Sequence, residues 1–294
     1  MFKGYKKDTL RVNGIDISFR IGGRGPALLL LHGHPQTHVI WHKVADTLAE
    51  HFSVIAADLR GYGDSSKPSA SQKHVAHSNR VMAQDMVDLM KRLGFEQFSI
   101  LAHDRGARVS HRLAMDHPNL VERMILLDIA PTLSMYTQTN EEFARAYWHW
   151  FFLIRPAPLP EALIASDPEL YLRRVMGTRS SGMSPFTDEA FEEYLRCLRQ
   201  PGSATGVCED YRASATIDLE HDRADIEKGK KLACPLLVMW GSEGTVGRCF
   251  KPLNEWQKVA DQVQGKPLPA GHYIAEEAPK QLLAELLPFF NLER

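Results

Sequence analysis

Phe98-Ser99-Ile100-Leu101-Ala102-His103-Asp104-Arg105-Gly106 decides the fold of this 294-residue chain. An apolar run from Phe98 to about Ala102 has the character of a buried strand, and a helical pattern over about 105–117 follows at once. A turn that sharp from strand to helix needs small residues two before and two after its apex, and Ala102 and Gly106 supply them. The apex, Asp104, is lifted clear of the backbone at a helix N-terminus, where negative charge is favoured. An Asp before a helix is ordinarily an N-cap. The small flanking residues, the preceding strand and an upstream His32-Gly33-His34-Pro35 turn point instead to a nucleophile.

Outward from this turn, apolar runs at Ala27 to Leu31, Val54 to Ala57, Met124 to Leu127 and Leu236 to Trp240 are of the same kind. Unbroken runs suit strands covered on both faces, as in parallel sheets. Helical patterns over about 40–50, 79–93, 252–262 and 276–290 separate them, and such alternation predicts a mostly parallel sheet with helices on both faces. Alternation in Thr9 to Val12 and Ile15 to Ile21 around Asn13-Gly14 predicts an opening hairpin. From 131 to 225 there are helical patterns but no buried-strand run. The expected organisation is an α/β core, 1–130 and 226–294, with a helical cap at 131–225 over the carboxyl ends of the strands, where open α/β sheets bind ligands.

An Asp nucleophile narrows the chemistry. Attack on a carbonyl would give an anhydride, whereas attack on a saturated carbon with a leaving group gives an ester bound to the enzyme. Water must then attack the carboxyl carbon of Asp104 itself, a step that an oxyanion hole stabilises. The backbone N–H groups of His34 and Arg105 are the expected donors. The water needs a base, and chain order puts it at His272, in Gly271-His272-Tyr273 before the last helical pattern. Asp128, ending its strand, is the preferred carboxylate to orient His272, with Glu243 as the alternative.

Arg105 and Arg108 are three apart on the helix after the turn and so share a face. Two guanidinium groups there match a substrate carboxylate in charge and fork geometry. The aromatic run Ala146-Tyr147-Trp148-His149-Trp150-Phe151 is mostly core packing, but His149 and Trp150 also carry N–H donors that a departing halide needs. Tyr211 adds a hydroxyl.

These residues resemble the fluoroacetate dehalogenases, a branch of the α/β-hydrolases, over nearly the whole chain. The likeness runs through His-Gly-His-Pro-Gln at 32–36, Asp-Leu-Arg-Gly-Tyr-Gly at 58–63, His-Asp-Arg-Gly-Ala-Arg at 103–108 and Leu-Asp-Ile-Ala-Pro-Thr at 127–132. It continues through Ala-Arg-Ala-Tyr-Trp-His-Trp at 144–150 and Asp-Tyr-Arg-Ala at 210–213. The resemblance implies an α/β-hydrolase fold with Asp104 as nucleophile, His272 as base and Asp128 as its partner. It implies Arg105 and Arg108 on the substrate carboxylate, and His149, Trp150 and Tyr211 on the halide. The stretch 176–190 does not align with the family and bears on access to the site.

Composition fits this picture. Hydrophobic residues are 44%, charged residues 24% and formal net charge is -1, so no field gathers nucleic acid or an anionic membrane. Cys197, Cys208, Cys234 and Cys249 show no CxxC pair and no zinc spacing, which suits free thiols in a reducing cytoplasm. No run approaches the ~20 apolar residues of a membrane span. The expected protein is a cytoplasmic enzyme without cofactor or metal, acting on a small haloacid and water, and homodimeric by default. Two alternatives stand beside it: an epoxide hydrolase using the same Asp with Tyr147 and Tyr211 as acids, and a non-catalytic binder of small acids.

Overall fold

The computed structural model describes residues 1–179 and 181–290. The expected hairpin pairs β1 (Lys6–Val12) with β2 (Ile15–Gly22). Its turn residues Asn13 and Gly14 both take positive φ, as such turns require. β3 (Ala27–Leu31), β4 (Ser53–Ala57), β5 (Phe98–His103), β6 (Val121–Leu127), β7 (Leu236–Gly241) and β8 (Val263–Leu268) complete an eight-stranded sheet. The order is β1-β2-β4-β3-β5-β6-β7-β8. β1, β2 and β4 pair antiparallel, and from β4 onward every pair is parallel.

The inner strand β3 is apolar throughout because both its faces are covered, whereas the edge strand β8 is largely exposed. Leu28, Leu29, Leu30 and Leu31 are each fully buried, as are Ile100, Leu101 and Ala102 beside them. Truncating one of these leucines to Ala is expected to cost about 2–5 kcal/mol.

The helices of the core follow the sequence pattern with three differences, one being that the pattern at 252–262 ends early, at Gln257. The pattern at 40–50 splits into a 3-10 turn, His38–Trp41, and a short α1 (Ala45–Leu48). The C-terminal pattern breaks at Pro279, which has no N–H to continue a helix, giving α14 (Ile274–Glu277) and α15 (Pro279–Phe289). α2 (Asn79–Arg92) starts at the Ser78 cap and buries Met82, Met86, Leu89 and Met90. α3 (Arg105–Asp116) leaves the turn after β5, while α12 (Thr245–Cys249) and α13 (Pro252–Gln257) lie between β7 and β8.

Between β6 and β7 the described residues form helices and no strand. These are α4 (Thr132–Thr137), α5 (Glu141–Ala146), α6 (Trp148–Leu153), α7 (Leu159–Ser166), α8 (Pro168–Gly177), α9 (Asp188–Leu198), α10 (Ser203–Ser214) and α11 (Ile217–Glu227). The segment is bonded to the core: Asp210 accepts from Tyr62, and Asp218 accepts from the Asn79 N–H. The carboxyl ends of β3, β5, β6 and β7 lead to Gly33, Asp104, Asp128 and the Gly241 turn, so the chain changes direction where chemistry-bearing residues gather. Among the described residues no helix is long and apolar enough to cross a membrane.

Candidate active site

The turn after β5 holds Asp104 at φ 47° and ψ -111°, outside the regions an L-residue ordinarily occupies. Such strain persists only where surroundings enforce it. Here the enforcement is steric and hydrogen-bonded. The Gly106 N–H donates to the His32 carbonyl at 2.8 Å, and a Cβ at Gly106 would collide with the carbonyls of Leu31 and His32. A Cβ at Gly33 would collide with the Asp104 side chain. Both positions need glycine so that the β3 turn and the β5 turn can close on each other.

That closeness lets the His34 N–H donate to Asp104 Oδ1 at 2.9 Å. The second expected donor, the Arg105 N–H, makes no bond to this carboxylate among the described residues. Oδ2 is buried without a hydrogen-bond partner and stands 3.7 Å from His272 Nε2, which also lacks one.

His272 follows β8 and is held from several sides. Its N–H donates to the Arg179 carbonyl at 2.8 Å, and its own carbonyl is 2.9 Å from His103 Nε2. Nδ1 lies 2.6 Å from Asp128 Oδ2, while Asp128 Oδ1 accepts from the Gly241 N–H at 3.0 Å. Asp128 has a positive φ of 48°, a second enforced turn at a strand end. Glu243 is exposed and its backbone N–H bonds to Ala270. The geometry therefore puts Asp128, not Glu243, on the histidine. The Tyr147 hydroxyl also reaches Nδ1, at 3.2 Å, a contact the sequence did not signal.

The two arginines after the turn do not converge as their spacing predicts. Arg105 is fully buried and turns to α10, where it pairs with both carboxylate oxygens of Asp210 and donates to its carbonyl and to Ser214 Oγ. Four of its five N–H donors are thereby engaged. Its guanidinium also lies 4.7 Å from the Tyr211 ring centroid. The i, i+3 rule places two Cβ atoms on one face, but a charge partner 105 residues away sets where the Arg105 head goes. Arg108 is different. It donates to Thr132 Oγ1 at 2.7 Å and to Met135 Sδ at 3.1 Å, its Nε is unpartnered, and it has no carboxylate partner among the described residues.

A third arginine enters from the segment that sequence reasoning left unassigned. Arg179, just past α8, is 5% exposed and donates to the His34 carbonyl at 2.9 Å and the Tyr273 hydroxyl at 2.7 Å. It packs on the Tyr147 and Tyr273 rings, and its Nη1 is buried without a partner. No periodicity or motif marked it.

His149, Trp150 and Tyr211 come together as expected. His149 and Trp150 ring centroids lie 5.9 Å and 6.2 Å from that of Tyr211. His149 Nε2, Trp150 Nε1 and the Tyr211 hydroxyl are all buried without partners. The His34 ring stacks on His149 and accepts or donates at Tyr171 through Nε2, leaving Nδ1 unpartnered. Buried polar atoms in proteins are nearly always bonded, so this concentration of unbonded ones marks a place for a polar ligand.

The electrostatics favour an ionised Asp104 and a neutral His272. Burial alone would raise the Asp104 carboxyl. Arg179, His103, Arg108 and the His34 N–H outweigh it and hold the group well below the usual carboxylate range. Burial, then the charge of Arg179, pushes His272 well below the ordinary histidine range. The same two causes keep His149 and His34 neutral. Burial, then the charge of Arg105, brings Arg108 down to about 10. Burial opposes the charge of Arg105, but Asp210 overcomes this and holds it well above the usual value.

The four cysteines are free thiols, three of them buried. Among the described residues no group of three or more His, Cys, Asp or Glu is placed to hold a metal ion.

A family model of the alpha/beta hydrolase fold matches residues 26–279, from before β3 through the elbow to the start of α15. The fluoroacetate dehalogenase of Burkholderia sp is 41% identical over 292 residues, covering 99% of this chain and 95% of that one. The soluble epoxide hydrolase of Corynebacterium sp. (strain C12) is 35% identical over 287 residues, covering 95% of each chain. The solved structure of ALR0039 from Nostoc sp PCC 7120 superposes with a TM-score of 0.96 at 50% identity and covers 99% of both chains. On sheet order, elbow and match alike, the chain belongs to the α/β-hydrolase family.

Proposed function

We propose that this hydrolase is a dehalogenase of small 2-haloacids, converting fluoroacetate or another haloacetate to glycolate and halide. Asp104 Oδ2 attacks the carbon bearing the halogen, the C–O bond forms as the C–X bond breaks, and halide leaves with the electron pair. Water then attacks Cγ of the resulting ester while His272 Nε2 takes its proton. The tetrahedral intermediate collapses, His272 returns the proton to the departing glycolate oxygen, and Asp104, left as the acid, gives the second proton of the water to solvent and is restored as a carboxylate. Asp128 holds His272 with Nε2 toward Asp104, and the backbone N–H groups of His34 and Arg105 carry the oxyanion. Residues 131–225 act as the cap and bring His149, Trp150 and Tyr211 to the halide.

The observation that carries this reading is Arg108. A buried guanidinium without an ion-pair partner is costly, and this one stands one helical turn from an ionised nucleophile. A substrate with its own carboxylate beside the reacting carbon supplies the missing anion. An epoxide would leave it unmatched.

The epoxide reading draws support from the Corynebacterium relative and from the unpartnered Tyr211 hydroxyl. Against it, the Tyr147 hydroxyl, the second acid it needs, lies at His272 Nδ1, on the Asp128 side of the ring rather than the Nε2 side that faces Asp104. Halide release from fluoro-, chloro- and bromoacetate, measured beside diol formation from small epoxides, tests both. Turnover of epoxides without halide release from any haloacetate would overturn the proposal.

A further inference from the structure

We infer that Arg179 is a substrate-binding residue of this site, and that the carboxylate of a monoanionic acid is held between Arg108 and Arg179 rather than between Arg105 and Arg108. This rests on the proposed function for the identity of the acid.

The inference comes from buried guanidinium donors that have no acceptor. Three arginines line the site, each 5% exposed or less. Arg105 is matched by Asp210 in a closely bonded pair within α3 and α10, so that pair adds no net charge. Arg108 and Arg179 have no carboxylate partner among the described residues. They donate only to neutral groups: Thr132 and Met135 in one case, and the His34 and Val175 carbonyls and the Tyr273 hydroxyl in the other. Asp128 is buried beside them as well as Asp104, so it is the donors these two arginines leave unbonded that call for a further anion. A haloacetate carries one.

The two arginines come from different elements, Arg108 from α3 and Arg179 from just past α8. Arg108 lies on the Trp150 side, its guanidinium 4.7 Å from that ring centroid. Arg179 lies on the side of His34 and His272, bonded to the His34 carbonyl while the His34 N–H is bonded to Asp104. Each keeps one buried N–H atom without a partner, Nε of Arg108 and Nη1 of Arg179. A carboxylate has an acceptor for each, and a charge-assisted bond to either is stronger than one between neutral groups.

A merely structural Arg179, bracing the His34 turn, is the competing role, and substitutions separate the two. Arg179→Gln keeps an N–H to reach the His34 carbonyl but loses the charge. Arg179→Lys keeps the charge. Binding of acetate and glycolate is measured by calorimetry, and kcat/KM by halide release from bromoacetate and from neutral bromoacetamide. The expected result for Arg179→Gln is a loss in acetate and glycolate affinity of roughly ten- to a hundredfold. The ratio of acid to amide kcat/KM falls with it, and the acid limb of the alkylation step moves toward the ordinary carboxylate range. Arg179→Lys recovers most of the affinity.

If Arg179→Gln binds the acids as wild type does, or acid and amide turnover fall by the same factor, Arg179 is a brace and the inference fails. Acid binding needs no turnover, so the two proposals fail separately. Wild type that binds acetate through Arg179 but releases no halide would remove the dehalogenase reading and leave the clamp.

Discussion

The backbone N–H of His34 donates to Oδ1 of Asp104 at 2.9 Å, so this oxygen already has a backbone donor of the kind an oxyanion needs. The other oxygen, Oδ2, has no partner and faces His272 Nε2. In the proposed mechanism this divides the carboxylate before substrate arrives: Oδ2 to attack, Oδ1 to receive negative charge when water attacks the ester. A serine at this apex would have no second oxygen to place.

This division gives the first prediction. In a single turnover in 18O-water with enzyme in excess, the glycolate oxygen should come from Asp104 and remain unlabelled, while one 18O enters the Asp104 carboxylate. Replacing His272 with Asn should stop the reaction at the ester, visible by intact mass as a carboxymethyl adduct that peptide mapping places on Asp104. Label entering glycolate directly, or an adduct elsewhere, would refute the two-step path.

The protonation states give the second. The base must be neutral, and His272 sits well below the ordinary histidine range because of burial and Arg179. Its neutral fraction falls only as pH drops through that lowered value, so ester hydrolysis should stay flat from pH 8 down through 6.5. At high pH the sign reverses at Arg108, whose charge is lost as pH rises through about 10. KM for a haloacid should climb there, while KM for a neutral amide climbs less. Steady-state and single-turnover pH profiles check both limbs. Hydrolysis already half lost at pH 6.5 would contradict the assigned state of His272.

Arg105 and Asp210 give the third. Removing one member of a buried pair leaves the other charge uncompensated, at a cost of about 3–5 kcal/mol, whereas removing both is far milder. Arg105→Met should therefore lower thermal stability sharply, and adding Asp210→Asn should recover a large part of the loss. Denaturation of the single and double variants measures this. A double variant no more stable than Arg105→Met alone would mean the pair does not tie α3 to α10 energetically.

What could be read from sequence and what could not follows from the range of the interactions. The inner strands were legible because burial on both faces demands apolar runs, a signal that the exposed edge strand β8 does not carry. The elbow was legible because Ala102 and Gly106 answer a local steric demand. His272 was placed by chain order, and Asp128 was preferred at its strand end with Glu243 as the alternative until the fold put Asp128 beside the imidazole. The head group of Arg105 was not legible, since its direction is set by Asp210 in α10, far along the chain. Arg179 sits in a stretch with no periodicity, and only the folded chain brings it to His34, Tyr147 and Tyr273. Helix ends near 40–50 and 279 shifted because a helical apolar spacing does not guarantee a continuous helix.

The last prediction concerns the leaving group. Fluoride concentrates its charge on a small ion and leaves from a strong C–F bond, so it depends on stabilisation as charge develops. The site is closed: Trp150, His149 and Tyr211 are each at most 1% exposed, and little bulk water can help. Fixed donors must replace hydration, and donors already in place contribute most in the transition state. Trp150 Nε1 is such a donor, buried without a partner, and the indole is held by Tyr136, Phe143 and Arg108. Trp150→Phe keeps an aromatic ring for that packing and deletes the N–H. Defluorination should fall by roughly ten- to a hundredfold, the scale of one lost hydrogen bond to a charged group. Debromination should fall much less, because bromide is large, diffuse and a good leaving group. The ratio of fluoroacetate to bromoacetate turnover, compared between variant and wild type, isolates the donor from any general packing loss. An equal fall for both substrates would make Trp150 a packing residue and move the halide site elsewhere.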